Sequence, residues 1–306
     1  IVFMFGSSSH TLVRGNICEG NNGAGIALIG DLESKGPKWR AYHWVIERNV
    51  LAGNRWGIYA KHADWIALAG NEYRDNVAKN VLLDGGVSHV PYDSFNLATH
   101  GGDDPAAVRE NRARLRTALA LPAEPLWLKQ VHDVAVVDAA QGGAEPEADG
   151  AFAAQPGAVC AVLTADCLPV LLCNREGTKV AALHAGWRGL AGGVIEAGVK
   201  AMGVPGNELL AWLGPAIGPV SFEIGPEVRM AFMEHDAQAA QAFRAAREGK
   251  YLADIYLLAR QRLQSLGVTA VYGGGFCTVT ERARFFSYRR DGATGRMASL
   301  IWLADR

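Results

Sequence analysis

An asparagine- and glycine-rich motif recurs in the first part of the chain, and this repeat constrains the fold more than any other feature. The segment NICEGNNGAGI, which begins at Asn16, is echoed by NVLAGNRWGI from Asn49 and by NEYRDN from Asn71. The second and third copies start 22 residues apart, and the first and second start 33 apart, which a polar insertion over 31–41 would explain. A period in the low twenties, with short apolar stretches between Asn/Gly corners, is typical of a parallel β-solenoid.

Residues 1–84 are therefore predicted to form a short β-solenoid-like segment. The pattern resembles the right-handed parallel β-helices of carbohydrate-acting and periplasmic copper-maturation proteins. Three turns are close to the smallest stack that can be stable, so we expect a truncated scaffold and assign it no chemistry. An irregular all-β segment in which the asparagines are spaced by chance is the alternative.

After Gly85 the sequence changes to alternating strand and helix patterns. Asp103, Asp104 and Pro105 supply acidic N-cap candidates and a proline for the first helical turn. Segregated helices and strands favour an α+β domain with mixed sheets over residues 85–306, with a layered α/β sandwich as the alternative. The predicted helices cover 103–120, 190–202, 225–234, 238–247 and 253–266, and the predicted strands cover 159–163, 169–173, 179–183, 270–272, 284–287 and 299–302.

Composition excludes several classes of function. The formal net charge of −1 gives no basic excess for nucleic-acid binding, and no apolar run is long enough to span a membrane. Nothing in the sequence indicates a protein partner. The 5 cysteines are scattered and odd in number, unlike a disulfide framework, so we expect a cytoplasmic protein with reduced thiols.

Three short segments place possible metal ligands at the ends of predicted strands. They are KQVH, ending at His132, TADC, ending at Cys167, and HAGWRG, beginning at His184. Two imidazoles and one thiolate match a catalytic zinc site that keeps its fourth position open. The same set could hold copper, because two histidines and a cysteine also form the equatorial ligands of a type-1 copper site. By spacing alone, a buried cysteine and two structural histidines remain an alternative.

Further motifs give these segments a family context. They are YDSFNL (92–97), GDD (102–104), ENR (110–112), GPAIGP (214–219), FEIG (222–225), GGGFCT (273–278) and RFFSYRRDG (284–292). Together, and in this order, they resemble the YfiH-like family, also called laccase-domain or polyphenol-oxidase proteins. The resemblance runs from about residue 85 to residue 303. Relatives carry a strand pair before the segment at 85–88, where this chain has the solenoid-like sequence instead.

The resemblance implies a zinc-dependent purine nucleoside phosphorylase that acts on adenosine, inosine and methylthioadenosine with phosphate. Adenosine deaminase activity and copper-dependent oxidation of phenolic compounds have also been attributed to the family. Its metal ligands match His132, Cys167 and His184 in this sequence.

Several basic residues are candidates for the phosphate site that phosphorolysis needs. Arg188 stands at the start of a predicted helix, where free backbone N–H groups favour anions. Arg289 and Arg290 follow Tyr288 in a polar loop and could give a forked second contact. Surface ion pairs are the alternative for each arginine.

Other polar residues are candidates for completing the pocket. Asn96 and His100 lie in the opening loop of the domain, and Asp166 precedes Cys167. Asp166 is expected either to support the ligand or to carry a proton. A purely structural role is the alternative for Asp166 and for His100.

Three other functions compete with this hypothesis. The strongest is a cysteine hydrolase, with Cys167 as nucleophile and His184 or His132 as its base, since family members have been linked to amidase editing of cell-wall precursors. A true multicopper oxidase would need paired His-x-His motifs, and none of the 8 histidines is so paired. A carbohydrate-binding scaffold built on the solenoid is the third.

Overall fold

The computed structural model describes residues 2–4, 9–22, 24–29, 41–61, 63–69, 71–76, 79–84, 86–92, 94–141, 143, 145–282 and 284–304. The chain divides into two compact units. The first comprises Ile1–Phe95 with Asp104–Ala120, and the second comprises Asn96–Asp103 with Leu121–Arg306. Residues 31–40 of the expected insertion, and Gly85 at the expected junction, lie outside the described residues.

Short parallel strands make up most of the first unit. Its strands are β1 (Val2–Met4), β2 (Ser9–Arg14), β3 (Ile17–Glu19), β4 (Ala24–Ile29), β5 (Ala41–Glu47), β6 (Val50–Ala52), β7 (Trp56–Lys61), β8 (Ala63–Ala69), β9 (Glu72–Arg74) and β10 (Lys79–Asp84). They form sheets in the orders β1-β4-β7-β10, β2-β5-β8 and β3-β6-β9, and each of these pairings is parallel. The solenoid assignment for residues 1–84 stays a prediction.

Buried asparagines explain the repeat seen in the sequence. The Oδ1 atom of Asn54 accepts hydrogen bonds from the backbone N–H (3.1 Å) and Nδ2 (2.7 Å) of Asn21. Asn54 in turn donates its backbone N–H to Oδ1 of Asn76 (3.1 Å) and its Nδ2 to the carbonyl of Cys18 (2.8 Å). A second ladder of the same kind runs through Asn16, Asn49 and Asn71. These contacts satisfy backbone groups in and beside the short strands, including the carbonyl of Cys18 in β3.

Helix α1 (Pro105–Ala118) confirms the predicted helix start in the first unit. Asp104 is its N-cap, and Oδ1 of Asp104 accepts from the N–H of Ala106 at 2.8 Å. From the buried face of α1, Asn111 accepts from the N–H of Val87 and donates to Oγ of Ser88, both at 2.9 Å. This side chain therefore holds residues 87–88 against the helix.

The second unit is a mixed α+β fold, as predicted. Its strands are β11 (Val136–Asp138), β12 (Gly150–Ala153), β13 (Val159–Thr164), β14 (Leu168–Asn174), β15 (Val180–Ala185), β16 (Leu209–Leu213), β17 (Glu223–Ile224), β18 (Phe243–Ala245), β19 (Tyr251–Ala253), β20 (Ala270–Gly273) and β21 (Met297–Trp302). Its helices are α2 (Trp187–Gly192), α3 (Val194–Met202), α4 (Pro226–Met233), α5 (Ile255–Ser265) and α6 (Tyr288–Asp291), with 3-10 turns at Ala139–Gln141, Gly206–Glu208 and Ala237–Ala242.

A six-stranded sheet, ordered β11-β12-β15-β14-β16-β20, forms the centre of this unit. Its two outer pairings are parallel and its three inner pairings are antiparallel. The main core lies between this sheet and helices α3, α4 and α5, and includes the fully buried Leu183, Ile195 and Phe232. Burial of each such side chain stabilises the fold by about 1.5–3 kcal/mol, so the sheet gives a firm base for the loops at its edge.

Three predicted elements differ from the structure. Residues 238–247 are not an α-helix but a 3-10 turn (Ala237–Ala242) followed by β18. Residues 284–287 are not a strand and lead into α6. The helix predicted over 190–202 is interrupted at Gly193, whose φ of 105° is incompatible with a continuous right-handed helix. Residues 243–245 pair with β19 in a short hairpin instead of continuing a helix.

Candidate metal centre

His132, Cys167 and His184 come together at one edge of the six-stranded sheet. One nitrogen from each histidine and the Sγ of Cys167 all lie within 4.8 Å of one another. The two imidazole rings meet edge to face, with centroids 4.8 Å apart, and Sγ lies 3.9 Å from Nε2 of His132. The structure therefore brings these three side chains within reach of a single ion.

Strand register explains why the thiol and one imidazole are neighbours. In the antiparallel pair β14–β15, Pro169 is opposite His184 and Leu168 is opposite Ala185. Cys167 immediately precedes β14, so its side chain lies beside the end of β15. His132 comes from the loop before β11, where its φ of 64° marks a turn that an ordinary strand could not make.

Gly186 leaves the space in which the three ligands meet. A Cβ atom at this position would lie 2.9 Å from Cδ2 of His132, 3.1 Å from Sγ of Cys167 and 3.5 Å from Cε1 of His184. The first two distances are shorter than normal van der Waals contacts. A residue without a side chain is thus required between the proposed ligands.

Asp149 contacts both histidine segments, and the sequence analysis did not identify it. This carboxylate is fully buried at the start of β12. Its Oδ1 accepts from Nδ1 of His184 at 2.7 Å and from the N–H of His132 at 3.0 Å, and its Oδ2 accepts from the N–H groups of Val131 and Asp133. Burial opposes ionisation, but His184 and the backbone donors prevail and lower the pKa of Asp149.

The thiol and the imidazole change each other's ionisation. Burial alone would raise the pKa of Cys167, but the neighbouring His184 and His132 outweigh it and lower that pKa to about 6. Burial would lower the pKa of His184, whereas Cys167 and Asp149 raise it to about 9. Without a metal, the pair is thus a thiolate and an imidazolium near neutral pH.

Asp166 connects the centre to two distant segments. Its Oδ1 accepts from the hydroxyl of the buried Thr278 at 2.5 Å, and its Oδ2 accepts from the N–H of Arg289 at 2.6 Å. The φ of Asp166 is 92°, an unfavourable backbone conformation for a residue with a side chain. These contacts tie helix α6, which carries Arg289, to the residue that precedes Cys167.

A cavity of about 280 Å³ lies beside the three side chains, and His132, Cys167, Asp166, Arg188 and Arg289 line it. The apolar part of its wall consists of Ala165, Trp187, Ile217, Phe222, Ile255 and Tyr288. Apolar walls with a few convergent polar groups are typical of small-molecule sites.

The two cavity arginines have different surroundings. The guanidinium of Arg188 stacks over the ring of Trp187, 4.3 Å from its centroid. Arg188 is the second residue of the six-residue helix α2 and so lies in its first turn. Nη1 of Arg289 donates to the carbonyls of Ser221 and Glu223.

Three of the predicted substrate contacts are not among the residues that line this cavity. Arg290 donates from helix α6 to the carbonyls of Thr278, Val279 and Phe285 and to the Asp291 carboxylate, so it ties the helix to the segment before it. Asn96 is buried and bonds to Ala98, Asp103 and Arg296. His100 is exposed in the loop that follows.

The donor set fits a metal. Two neutral nitrogens and a thiolate suit zinc and other borderline ions, and the Asp149–His184 hydrogen bond is the type of support that orients a metal-binding imidazole.

No helix in the described part of the chain is both long enough and apolar enough to cross a membrane.

Comparison with known proteins places most of the chain in one family. Residues 81–304 match the family model described as "Multi-copper polyphenol oxidoreductase laccase". A purine nucleoside phosphorylase of Pseudomonas aeruginosa is 58% identical over 222 residues, covering 72% of this chain and 90% of the relative. The purine nucleoside phosphorylase YfiH of Escherichia coli is also 58% identical, over 220 residues, with the same coverage of 72% and 90%.

Solved structures agree with this placement. A protein of Neisseria meningitidis, titled as a member of the DUF152 family, superposes with a TM-score of 0.70 at 55% identity, covering 72% of this chain and 91% of its own. YlmD of Geobacillus stearothermophilus gives a TM-score of 0.65 at 30% identity, covering 72% and 89%.

Proposed function

The chain belongs to the YfiH family of laccase-like proteins, and from that premise we propose that it is a zinc-dependent purine nucleoside phosphorylase. The observation that carries the proposal is a cavity lined at once by the His132–Cys167 part of the ligand set and by two arginines. Phosphorolysis needs an anion, a nucleoside and help for the departing base in one place.

Arg188 and Arg289 are the proposed phosphate contacts. Both line the cavity, and a guanidinium offers donors in the forked arrangement that matches phosphate oxygens. Among the described residues, Arg289 uses Nη1 for the carbonyls of Ser221 and Glu223, with no such bond from its Nε or Nη2. Asp166 binds the N–H of Arg289, so its proposed role is to position this arginine.

The purine is proposed to lie against the apolar wall formed by Trp187, Phe222 and Tyr288, because aromatic faces stack on bases. His132, Cys167 and His184 would hold the zinc ion, which would supply Lewis-acid chemistry at this end of the cavity. The cavity arginines meanwhile neutralise phosphate as it approaches the ribose.

Adenosine, inosine and methylthioadenosine are the proposed nucleosides. Deamination of adenosine is a proposed side reaction. Copper-dependent oxidation of phenols is a second proposed side reaction, and the laccase description of the family model supports it.

A phosphate-dependence assay tests the proposed reaction. Inosine with phosphate should give hypoxanthine and ribose 1-phosphate in equal amounts, and turnover should stop after chelation and return with added zinc. Equal base release in phosphate-free buffer would make the enzyme a hydrolase. Activity that survives complete metal removal would favour Cys167 as a nucleophile, since its thiolate pairs with the His184 imidazolium in the absence of metal.

For residues 1–84 we propose a short β-solenoid that serves as a scaffold, with the catalytic domain at 85–306. Two observations support this proposal. The described strands of this segment pair only in parallel, and two asparagine ladders link them. The asparagines of one described repeat bond to those of the next at equivalent positions, as expected for solenoid repeats.

A further inference from the structure

We propose that Asp149 is a positioning residue that fixes both histidines of the metal site through one carboxylate. This inference rests on the proposed metal site. It deepens that proposal by assigning a function to a residue that no motif or family description identified. Asp149 does not reach the cavity wall, so it acts through His132 and His184 and not on substrate.

The hydrogen bonds of the Asp149 carboxylate support this role. Four N–H groups converge on the two oxygens of Asp149, at 2.7 and 3.0 Å on Oδ1 and at 3.1 and 2.8 Å on Oδ2. Three of the donors are successive backbone amides of residues 131–133, which are the loop that carries His132. The fourth is the ring of His184. One buried anion thus joins two chain segments that are far apart in sequence.

The contact with Asp149 also fixes the tautomer of His184. The backbone amides can only donate, so the Asp149 oxygens act as acceptors, and the ring contact at 2.7 Å requires Nδ1 of His184 to carry a proton. Nε2 then keeps its lone pair for the metal. The carbonyl of Asp149 also accepts the backbone N–H of His184 at 2.6 Å, so ring and main chain are both held.

An asparagine amide cannot replace the carboxylate of Asp149. Asparagine has one accepting oxygen and one NH₂ group, and each oxygen of Asp149 faces two donors. Whichever way an asparagine amide turned, its NH₂ group would oppose two N–H groups, either those of Val131 and Asp133 or those of His132 and His184. The loop and the imidazole could not both be satisfied.

Zinc affinity of the full chain tests the inference, with Asp133→Asn as the matched control. Asp133 lies in the same loop and is exposed. Among the described residues its carboxylate accepts from the N–H of Val134, a bond that asparagine can also accept. By competition titration of metal-free protein with zinc chloride, Asp149→Asn should bind zinc about 10–100-fold more weakly. Asp133→Asn should stay within about twofold of the unsubstituted chain, because it keeps every contact of Asp149.

The outcomes separate the two proposals. Equal zinc affinity in Asp149→Asn and the unsubstituted chain would overturn the inference alone. An unsubstituted chain that binds no zinc would overturn the metal site, and the inference with it.

A second measurement uses only the unsubstituted chain, so it tests the role of Asp149 even if Asp149→Asn fails to fold. Nitrogen-15 NMR of the unsubstituted chain should show His184 protonated at Nδ1 both before and after zinc is added, with the metal on Nε2. Zinc bound through Nδ1, or a His184 ring protonated only at Nε2, would contradict the proposed role of Asp149.

Discussion

Gly186 is the residue whose identity the proposed centre constrains most tightly. It lies between all three ligand side chains, and a methyl group there would come within 2.9 Å of His132 and 3.1 Å of Cys167. Its φ of −60° is ordinary, so an alanine would be strained only by these contacts and not by its backbone.

We therefore expect Gly186→Ala to reduce zinc affinity by about tenfold or more, because displaced ligands bind metals poorly. The free energy of unfolding should fall by about 1–3 kcal/mol, as for other overpacked sites. Zinc titration together with denaturant unfolding measures both quantities. Unchanged zinc affinity would show that the metal does not lie between these side chains.

The ionisation of Cys167 gives a pH-dependent prediction for the metal-free protein. Because its pKa is lowered to about 6, the thiolate is present above that pH and is lost as the pH falls through it. The rate of Cys167 alkylation by iodoacetamide should thus reach half its plateau near pH 6, whereas an ordinary thiol has a pKa of about 8.5. Peptide mass spectrometry distinguishes Cys167 from the other cysteines. A midpoint near the ordinary value would mean that the two histidines do not stabilise the thiolate.

Residue-level prediction from the sequence worked where chemistry alone is informative. A thiol and two imidazoles at strand ends suggested the cluster, and the resemblance to the family turned that suggestion into a ligand assignment. Asp149 gave no such signal, because its function depends on a loop that approaches it only in the folded chain. Arg290 was predicted as a phosphate contact and Asn96 as part of the pocket, and both stay predictions; in the structure their side chains bond to backbone groups of nearby segments.

At the level of elements, capping signals were more reliable than composition. The acidic N-cap before Pro105 predicted α1 correctly, since the cap acts locally. Residues 238–247 have the composition of a helix, yet the chain turns at Phe243 to pair with β19. That pairing is a short hairpin, with Phe243 opposite Ala253 and Ala245 opposite Tyr251, and its second strand lies beyond the segment that was predicted as a helix.

The asparagine ladder supplies a prediction for the strands of the first unit. Asn54→Ala would leave the N–H of Asn21 and the carbonyl of Cys18 without their side-chain partner. Each buried polar group left unsatisfied costs about 1–3 kcal/mol, so thermal unfolding of this unit should begin at a lower temperature. Asn22→Ala is the control, because Asn22 is exposed and should change stability by about 0.5 kcal/mol at most. Equal unfolding temperatures for Asn54→Ala and Asn22→Ala would show that the asparagine ladder does not stabilise this unit.

For the whole molecule, we expect the metal site to be independent of residues 1–78. Each proposed ligand and cavity residue lies in the second unit. A chain beginning at Lys79 keeps the contacts of Asn111 with residues 87–88, and it should retain the metal and most of the turnover. The main hazard is an exposed sheet edge at β10, which favours aggregation. A soluble, folded chain of this length without activity would show that the first 78 residues contribute to catalysis.

The central claim is that one metal, held by two nitrogens and one sulfur, serves the nucleoside reaction. Metal content and inosine turnover of Cys167→Ala test it most directly, with Cys173→Ala as the control because Cys173 lies six residues away in β14 and outside the ligand set. We predict that Cys167→Ala loses stoichiometric zinc and phosphate-dependent turnover together, since two protein ligands hold zinc poorly, while Cys173→Ala keeps both. Stoichiometric zinc in Cys167→Ala would contradict the claim.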